Sequence, residues 1–333
     1  MTMFSCNIKD IPKIKLNLFD LKPKEALEST YAFFDKELSK YFCDNGDPDT
    51  KFFSEIDCPL CGCPETTNIF SLDKFSYDKC TNCAAVYNKK MLRSEVLEGM
   101  YASGIYIEYF KKLVAGSQTI RKELLERRKV AQLSSFFDKP GTLLDVGCGS
   151  GSLLKECKDI GWKVFGIDPS KEACSVAKKK YGLSITQDTF ENFETRAKFD
   201  CIVFIGIEHL QDPMNGIDKA KRLLKQNGLI FFEAPSADSF LMSHLTKYPQ
   251  QITRFIEAGR HYLFFSKKSI NYICEKYSLE LEYLESNGLD LQTLVMDDLS
   301  DTSTNKLIDM QDTLNDLLLG DHYRVFLRSK DDH

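Results

Sequence analysis

Four cysteines fall in two pairs, Cys58-Pro-Leu-Cys61 and Cys80-Thr-Asn-Cys83, separated by 18 residues. Two thiolates two residues apart on a tight turn can share one ion, and a second such turn completes a tetrahedral four-sulfur set. This spacing predicts a structural Zn2+ held by Cys58, Cys61, Cys80 and Cys83. Cys63 is a fifth cysteine in the same stretch and could replace Cys61, although the C-x-x-C spacing favours Cys61. A site closed by four protein ligands has no open position for chemistry. The remaining candidate chemistry is in Leu-Leu-Asp-Val-Gly-Cys-Gly-Ser-Gly-Ser-Leu-Leu (143–154), where a strand ending at Asp145 and Val146 runs through Gly147, Gly149 and Gly151 into a helix. Glycines at such a turn let a ligand approach the backbone, and free N–H groups at a helix start can bind it. The third glycine of a dinucleotide fingerprint would stand at position 152, which is Ser152, so a nicotinamide or flavin site is disfavoured.

Asp168 ends the next strand, where an acid can accept hydrogen bonds from a ribose diol at the crevice of a doubly wound sheet. It also reads as a helix N-cap, because Pro169 and Ser170 follow it. His209 follows a later apolar strand and is the candidate general base, with Glu208 beside it to orient the ring or to bind an acceptor. His261 and Tyr262 are candidates for closing the substrate side. Tyr106 and Tyr109 are candidates for a lid or for packing between modules.

These residues need elements to hold them. Strand and helix patterns alternate beyond Pro140-Gly141: strands over 142–146, 163–168, 184–186, 199–206 and 229–235, with helices between, including one over 218–228. Near-continuous apolar strands joined by helices mark a parallel sheet covered on both faces. The expected fold is α/β, a Rossmann-like doubly wound sheet preceded by a small zinc-binding module. Four segments are expected: a helical arm (1–50), a zinc-ribbon-like module (51–92), a helical linker or lid (93–140) and the doubly wound α/β domain (141–330). Residues 236–260 interrupt the rhythm where such a fold places substrate-covering insertions.

In order, D-V-G-C-G-S-G (145–151), G-I-D-P-S (166–170), Q-D-T-F (187–190), I-E-H-L-Q-D-P (207–213), L-L-K-Q-N-G-L-I (223–230) and H-Y-L-F-F-S (261–266) resemble the motifs of the class I S-adenosylmethionine-dependent methyltransferases. The last of them resembles the ubiquinone-methyltransferase-like branch. The resemblance implies a seven-stranded sheet whose last strand, Y-R-V-F-L-R-S (323–329), is antiparallel. It implies S-adenosylmethionine as cofactor, with Gly147, Gly149 and Gly151 under its methionyl end and Asp145 near its amino group. Asp188 and Thr189 would lie by the adenine. The ubiquinone-type enzymes hold a metal with E-x-x-E-H, and the first position of that motif is Ile205 here, so a catalytic magnesium is not expected. The cysteine module together with this domain is similar to bacterial sugar and polysaccharide-cluster methyltransferases, which implies a small, sugar-like acceptor methylated on oxygen or carbon.

Composition narrows the partners. The 333 residues carry a net charge of −5. Thirteen acids against four bases fall between Ser278 and His333, which leaves only a mild positive excess elsewhere. That is not the basic footprint of phosphate-backbone binding, so nucleic acid is not expected as a partner. A ribosomal-RNA base methyltransferase with a four-cysteine zinc site is therefore the weaker enzyme reading. A non-catalytic adaptor that keeps only the nucleoside site is the alternative from another class. No apolar run approaches a membrane span and the N-terminus has no secretory pattern, so a cytoplasmic protein is expected.

Overall fold

The computed structural model describes residues 4–14, 36–72, 75–93, 95–96, 99, 125–248, 256, 261–295 and 301–330. Residues 15–35 of the expected helical arm, and Tyr106 and Tyr109, lie outside the described residues. No described helix is long and apolar enough to cross a membrane.

The N-terminal module is built from β1 (Phe53–Glu55), β2 (Thr66–Leu72), β3 (Phe75–Cys80), β4 (Val86–Asn88) and β5 (Lys90–Leu92). Strands β1 and β5 pair with each other, and β2, β3 and β4 form an antiparallel meander. The α/β region follows with α1 (Arg127–Ser135), β6 (Thr142–Val146), α2 (Ser152–Asp159), β7 (Lys163–Ile167), α3 (Lys171–Tyr181) and β8 (Phe199–Ile205). It continues with α4 (Pro213–Leu223), β9 (Leu224–Pro235), α5 (Phe240–Leu245), β10 (Leu263–Phe264) and α6 (Lys267–Tyr277), then β11 (Leu279–Ser286), α7 (Asp290–Leu294), α8 (Asp301–Asp316) and β12 (His322–Ser329).

The main sheet has the order β11-β12-β9-β8-β6-β7. Strands β7, β6, β8 and β9 run parallel, and β12 is antiparallel to both of its neighbours. Six strands pair where seven were expected. The segment 184–186 occupies the place beside β7 but makes a single parallel bridge, Ile167 to Thr186. The amide of Thr186 donates to the Gly166 carbonyl, and the Asp168 amide donates to the Thr186 carbonyl. The chain then turns at once, with the Asp188 amide donating back to Thr186, so no further ladder can form. The helix expected over 218–228 instead runs Pro213–Leu223. Asp212 caps it by accepting from the Asn215 amide, Pro213 fits a first-turn position that needs no donor, and residues from Leu224 enter β9.

Alternation along the strands supplies two cores. Leu143, Cys201, Val203, Leu229, Phe231 and Phe326 pack under α1, α2 and α3 with Val130, Leu133, Leu154, Cys157 and Ala177. Their neighbours Leu144, Val146, Ile202, Phe204, Ile230, Phe232 and Val325 face the other way, onto α4 and α6. This second core also takes in Cys58, Leu60, Cys80, Cys83, Ala85 and Tyr87, so the cysteine module is seated on the sheet domain. The seat is also hydrogen-bonded, because β10 pairs antiparallel with β4 and makes the module a four-stranded sheet. Residues 263–264 thus belong to a sheet whose other strands lie in the 51–92 segment.

Candidate active site

Chain order reverses at β6: β7 lies on one side of it and β8 on the other. The crevice outside the carboxyl ends of strands at such a switch point is where doubly wound sheets bind ligands. The glycine loop sits there. Gly147, Gly149 and Gly151 have φ values of 70°, 54° and 76°, a left-handed backbone that side chains resist. A Cβ on Gly147 or Gly149 would meet nothing within 4 Å, so the space over the loop is open. The loop is tied down from below, with the amides of Gly147 and Cys148 donating to the Ile167 carbonyl.

Asp168 accepts from the Gly149 amide at 2.8 Å on one oxygen and from the Ser170 amide at 2.9 Å on the other. The N-cap of α3 is Ser170, whose hydroxyl accepts from Ala173. Asp168 therefore braces the loop against the helix start, and each carboxylate oxygen keeps a further lone pair for a ligand. Burial pushes its carboxyl up, while the Ser170 and Gly149 amides pull it down. Asp145 is 2% exposed, and its Oδ1 has no hydrogen-bond partner among the described residues. Burial, and then the Glu126 and Asp168 charges, hold it well above the usual carboxylate range against the pull of Lys129. An orphaned buried acceptor beside an open glycine loop fits a cationic amino group. Asp188 and Thr189 follow the single bridge at Thr186, half-buried, and the Asp188 side chain accepts from the Thr189 amide.

Beyond β8, Gly206 turns with φ of 101° into a short 3-10 turn, Ile207–His209. A Cβ on Gly206 would lie 2.9 Å from the His209 ring, so only glycine leaves that ring its place. Glu208 is buried and His209 faces solvent, with 3.7 Å between Oε1 and Nε2. The rings of His209 and His261 lie 5.4 Å apart between centroids. Donor atoms of Glu208, His209 and His261 all fall within 4.8 Å of one another, a spread that a divalent cation could bridge. Tyr262 is buried beside them and donates its hydroxyl to the Leu210 carbonyl.

In the module, Cys58, Cys61, Cys80 and Cys83 bring their sulfurs within 4.8 Å of one another. Cys58 to Cys83 is 3.4 Å and Cys61 to Cys80 is 3.5 Å. A tetrahedron with metal–sulfur arms of about 2.3 Å has edges of roughly 3.8 Å. The four thiols are therefore nearly placed for one ion. Cys63 instead turns toward Glu65 and Thr81.

A group of residues that the sequence did not single out lies on the α1 face of the sheet. Glu233, Arg324 and Glu285 are register neighbours on β9, β12 and β11. Arg324 bonds Glu233 at 2.5 Å and Glu285 at 3.1 Å. Lys129 and Arg128 cover the row from α1, Lys129 at 2.9 Å from Glu233 and Arg128 holding Glu285 with both guanidinium arms. Against the cost of burial, Lys129 and Arg324 hold Glu233 down to about 2. The sign that precedes this is R-R-K in a helical stretch, but its acidic partners Glu233 and Glu285 are over 100 residues away.

Comparison with known proteins shows the family of the chain. The family described as a methyltransferase domain matches residues 118–284, half of the chain, and the chain belongs to that family, with a class I S-adenosylmethionine-dependent methyltransferase domain. A ubiquinone biosynthesis O-methyltransferase of Actinobacillus pleuropneumoniae serotype 5b is 40% identical over 102 residues, 27% of this chain and 44% of that protein. One from Pelagibacter ubique is 31% identical over 173 residues, 49% of this chain and 71% of that protein. The chain spans about half the length of curated relatives such as the Actinobacillus protein. Among solved structures, the plantazolicin methyltransferase BpumL in complex with SAH is 15% identical, covering 71% of this chain and 94% of that one with a TM-score of 0.48.

Proposed function

We propose that the protein moves a methyl group from S-adenosylmethionine to a hydroxyl or carbon of a small, sugar-like acceptor. The observation that carries this reading is the shared edge of the sheet: an open glycine loop with an orphaned Asp145 oxygen on one side of the switch point, and the Glu208, His209 and His261 cluster after β8 on the other. The names of the curated relatives support transfer to oxygen.

When bound, S-adenosylmethionine supplies a methyl on a positively charged sulfur. In this reading Asp145 holds the amino group, Asp168 the ribose hydroxyls, and Asp188 and Thr189 border the adenine. Positioning is most of the catalysis of such an in-line displacement. His209 takes the acceptor's proton, and the buried carboxylate of Glu208 favours the imidazolium that results. A positioned base contributes about 10²–10⁴-fold. The four module cysteines hold one structural zinc, which leaves no position for an acceptor.

The test is transfer of radiolabelled methyl to a panel of nucleotide sugars, free sugars and phenols, run with native protein and with His209→Gln. Turnover on a sugar that falls by about 10²–10⁴-fold in His209→Gln, with S-adenosylhomocysteine affinity unchanged, supports the reading. Full turnover in the variant removes His209 as the base. Transfer confined to phenols overturns the sugar-like acceptor.

A further inference from the structure

The segment that carries His261 is pinned at several points, and three of them belong to the cysteine module. The Asn88 amide donates to the Tyr262 carbonyl at 2.8 Å. Leu263 and Phe264 pair with Tyr87 and Val86. The Ser266 hydroxyl, wholly buried, donates to the carbonyl of Cys83 at 2.9 Å. On the other side, Phe265 bridges Ser236 just past β9, and Tyr262 reaches the Leu210 carbonyl, one residue beyond His209. The run 261–266, with β10 at its centre, is therefore a shared segment, lying between the Cys80–Cys83 knuckle and the turn that carries His209.

We infer that the cysteine module is a positioning element of the active site: the Cys80–Cys83 knuckle, through Cys83 and the β4 pairing, sets His261 against His209. The inference rests on the reading of these two histidines as acceptor-side groups, but it concerns their placement and not their chemistry. A knuckle closed by four thiolates fixes the Cys83 carbonyl, and Ser266 takes its position from that carbonyl. Opening the knuckle frees Cys83 and Asn88 together and lets 261–266 slide relative to β8. The bonds that shape the cofactor loop run elsewhere, from Gly147 and Cys148 to Ile167 and from Gly149 to Asp168. Loss of the ion should therefore reach the acceptor side and spare the cofactor side. Ser266 is a positioning residue in this scheme and touches neither substrate nor cofactor.

The placement is read by NMR of histidine ring carbons in the full-length protein, with His209 and His261 signals assigned by His209→Gln and His261→Gln. Removing zinc with a chelator, checked by metal analysis, should shift both signals and leave the His322 signal and S-adenosylhomocysteine affinity in place. Ser266→Ala, which keeps all four cysteines, should shift the His261 signal with zinc still bound, and Ser266→Thr should restore it. Ser266 also caps α6 in a reciprocal box with Ser269. Ser269→Ala loosens the same helix start without touching Cys83, and should leave His261 unmoved. Unchanged His261 and His209 signals after zinc loss overturn the inference, as does an equal shift in Ser269→Ala. Collapse of all histidine signals together with loss of S-adenosylhomocysteine binding also overturns it, because the module would then hold the whole fold. Failure of the functional reading is seen separately, as full methyl transfer by His209→Gln with the coupling intact.

Discussion

Asp145 gives the sharpest test of the proposed cofactor site, because it is costly in the free protein and an ammonium at its free oxygen would relieve that cost. It is 2% exposed, has an oxygen without a partner, and stands near the negative charges of Glu126 and Asp168. Its carboxyl is raised above the unfolded value, so the folded state binds the extra proton. The resulting penalty is absent below the unfolded value of about 3.9 and grows as pH rises toward the raised folded value. A methionyl ammonium at Oδ1 supplies the missing cation and pulls the carboxyl back down. Binding S-adenosylhomocysteine should then release up to one proton per site in that window, and affinity should tighten as pH rises through it. Asp145→Asn keeps the shape and removes the charge. It forfeits a charge-assisted hydrogen bond worth about 1.5–3 kcal/mol, roughly a 10–150-fold loss in Kd, while the ligand-free protein should melt no lower than the native one. Calorimetry in two buffers of different ionisation enthalpy counts the protons: a fraction up to one for native protein and none for the variant. Equal Kd values together with no proton release at any pH where the protein stays folded would refute the assignment.

Asp168→Ala should weaken S-adenosylhomocysteine by about 1–3 kcal/mol through two unpaired hydroxyls, read by the same calorimetry. Some loss of stability should accompany it, since the Gly149 and Ser170 amides lose their acceptor; an unchanged Kd removes the ribose role. Glu233→Gln leaves Arg324 and Lys129 without their shared carboxylate, and breaking such a buried pair costs about 3–5 kcal/mol, seen as a lower melting temperature. Glu233 is held down to about 2, so its stabilisation is present above the ordinary carboxylate value and lost as pH falls toward 2; the native and variant melting curves should converge there, and parallel curves would contradict the pairing. Metal analysis should find one zinc per chain, retained in Cys63→Ser and lost or weakened in Cys80→Ser with loosening of the module, because binding energy is folding energy in such sites. Protein purified without chelator and free of zinc removes that reading.

What the sequence carried was local. The glycine loop is legible because its three left-handed positions must be glycine whatever surrounds them, and Asp168 because a strand end and a helix start flank it. The cysteine pairs are legible because each lies on a single turn. The strand at 184–186 was over-read for the same reason: Ser184, Ile185 and Thr186 fit a strand start, but the number of rungs depends on how soon the chain turns, and Asp188 folds back after one.

What the sequence did not carry depends on register. Glu233, Arg324 and Glu285 form a row only because β9, β12 and β11 align those positions, and a shift of one residue would turn each side chain to the opposite face. The row then needs Arg128 and Lys129 from a helix more than 100 residues earlier. The same holds for His261. The sequence marks His261 as a candidate for the substrate side, but its meeting with His209 depends on where β10, which pairs with the module and not with the main sheet, sets the segment 261–266. The domain boundary drawn from cysteine spacing and strand rhythm separates what that strand joins. The module and the sheet domain are thereby tied together by β10, the strand that directly follows His261 and Tyr262.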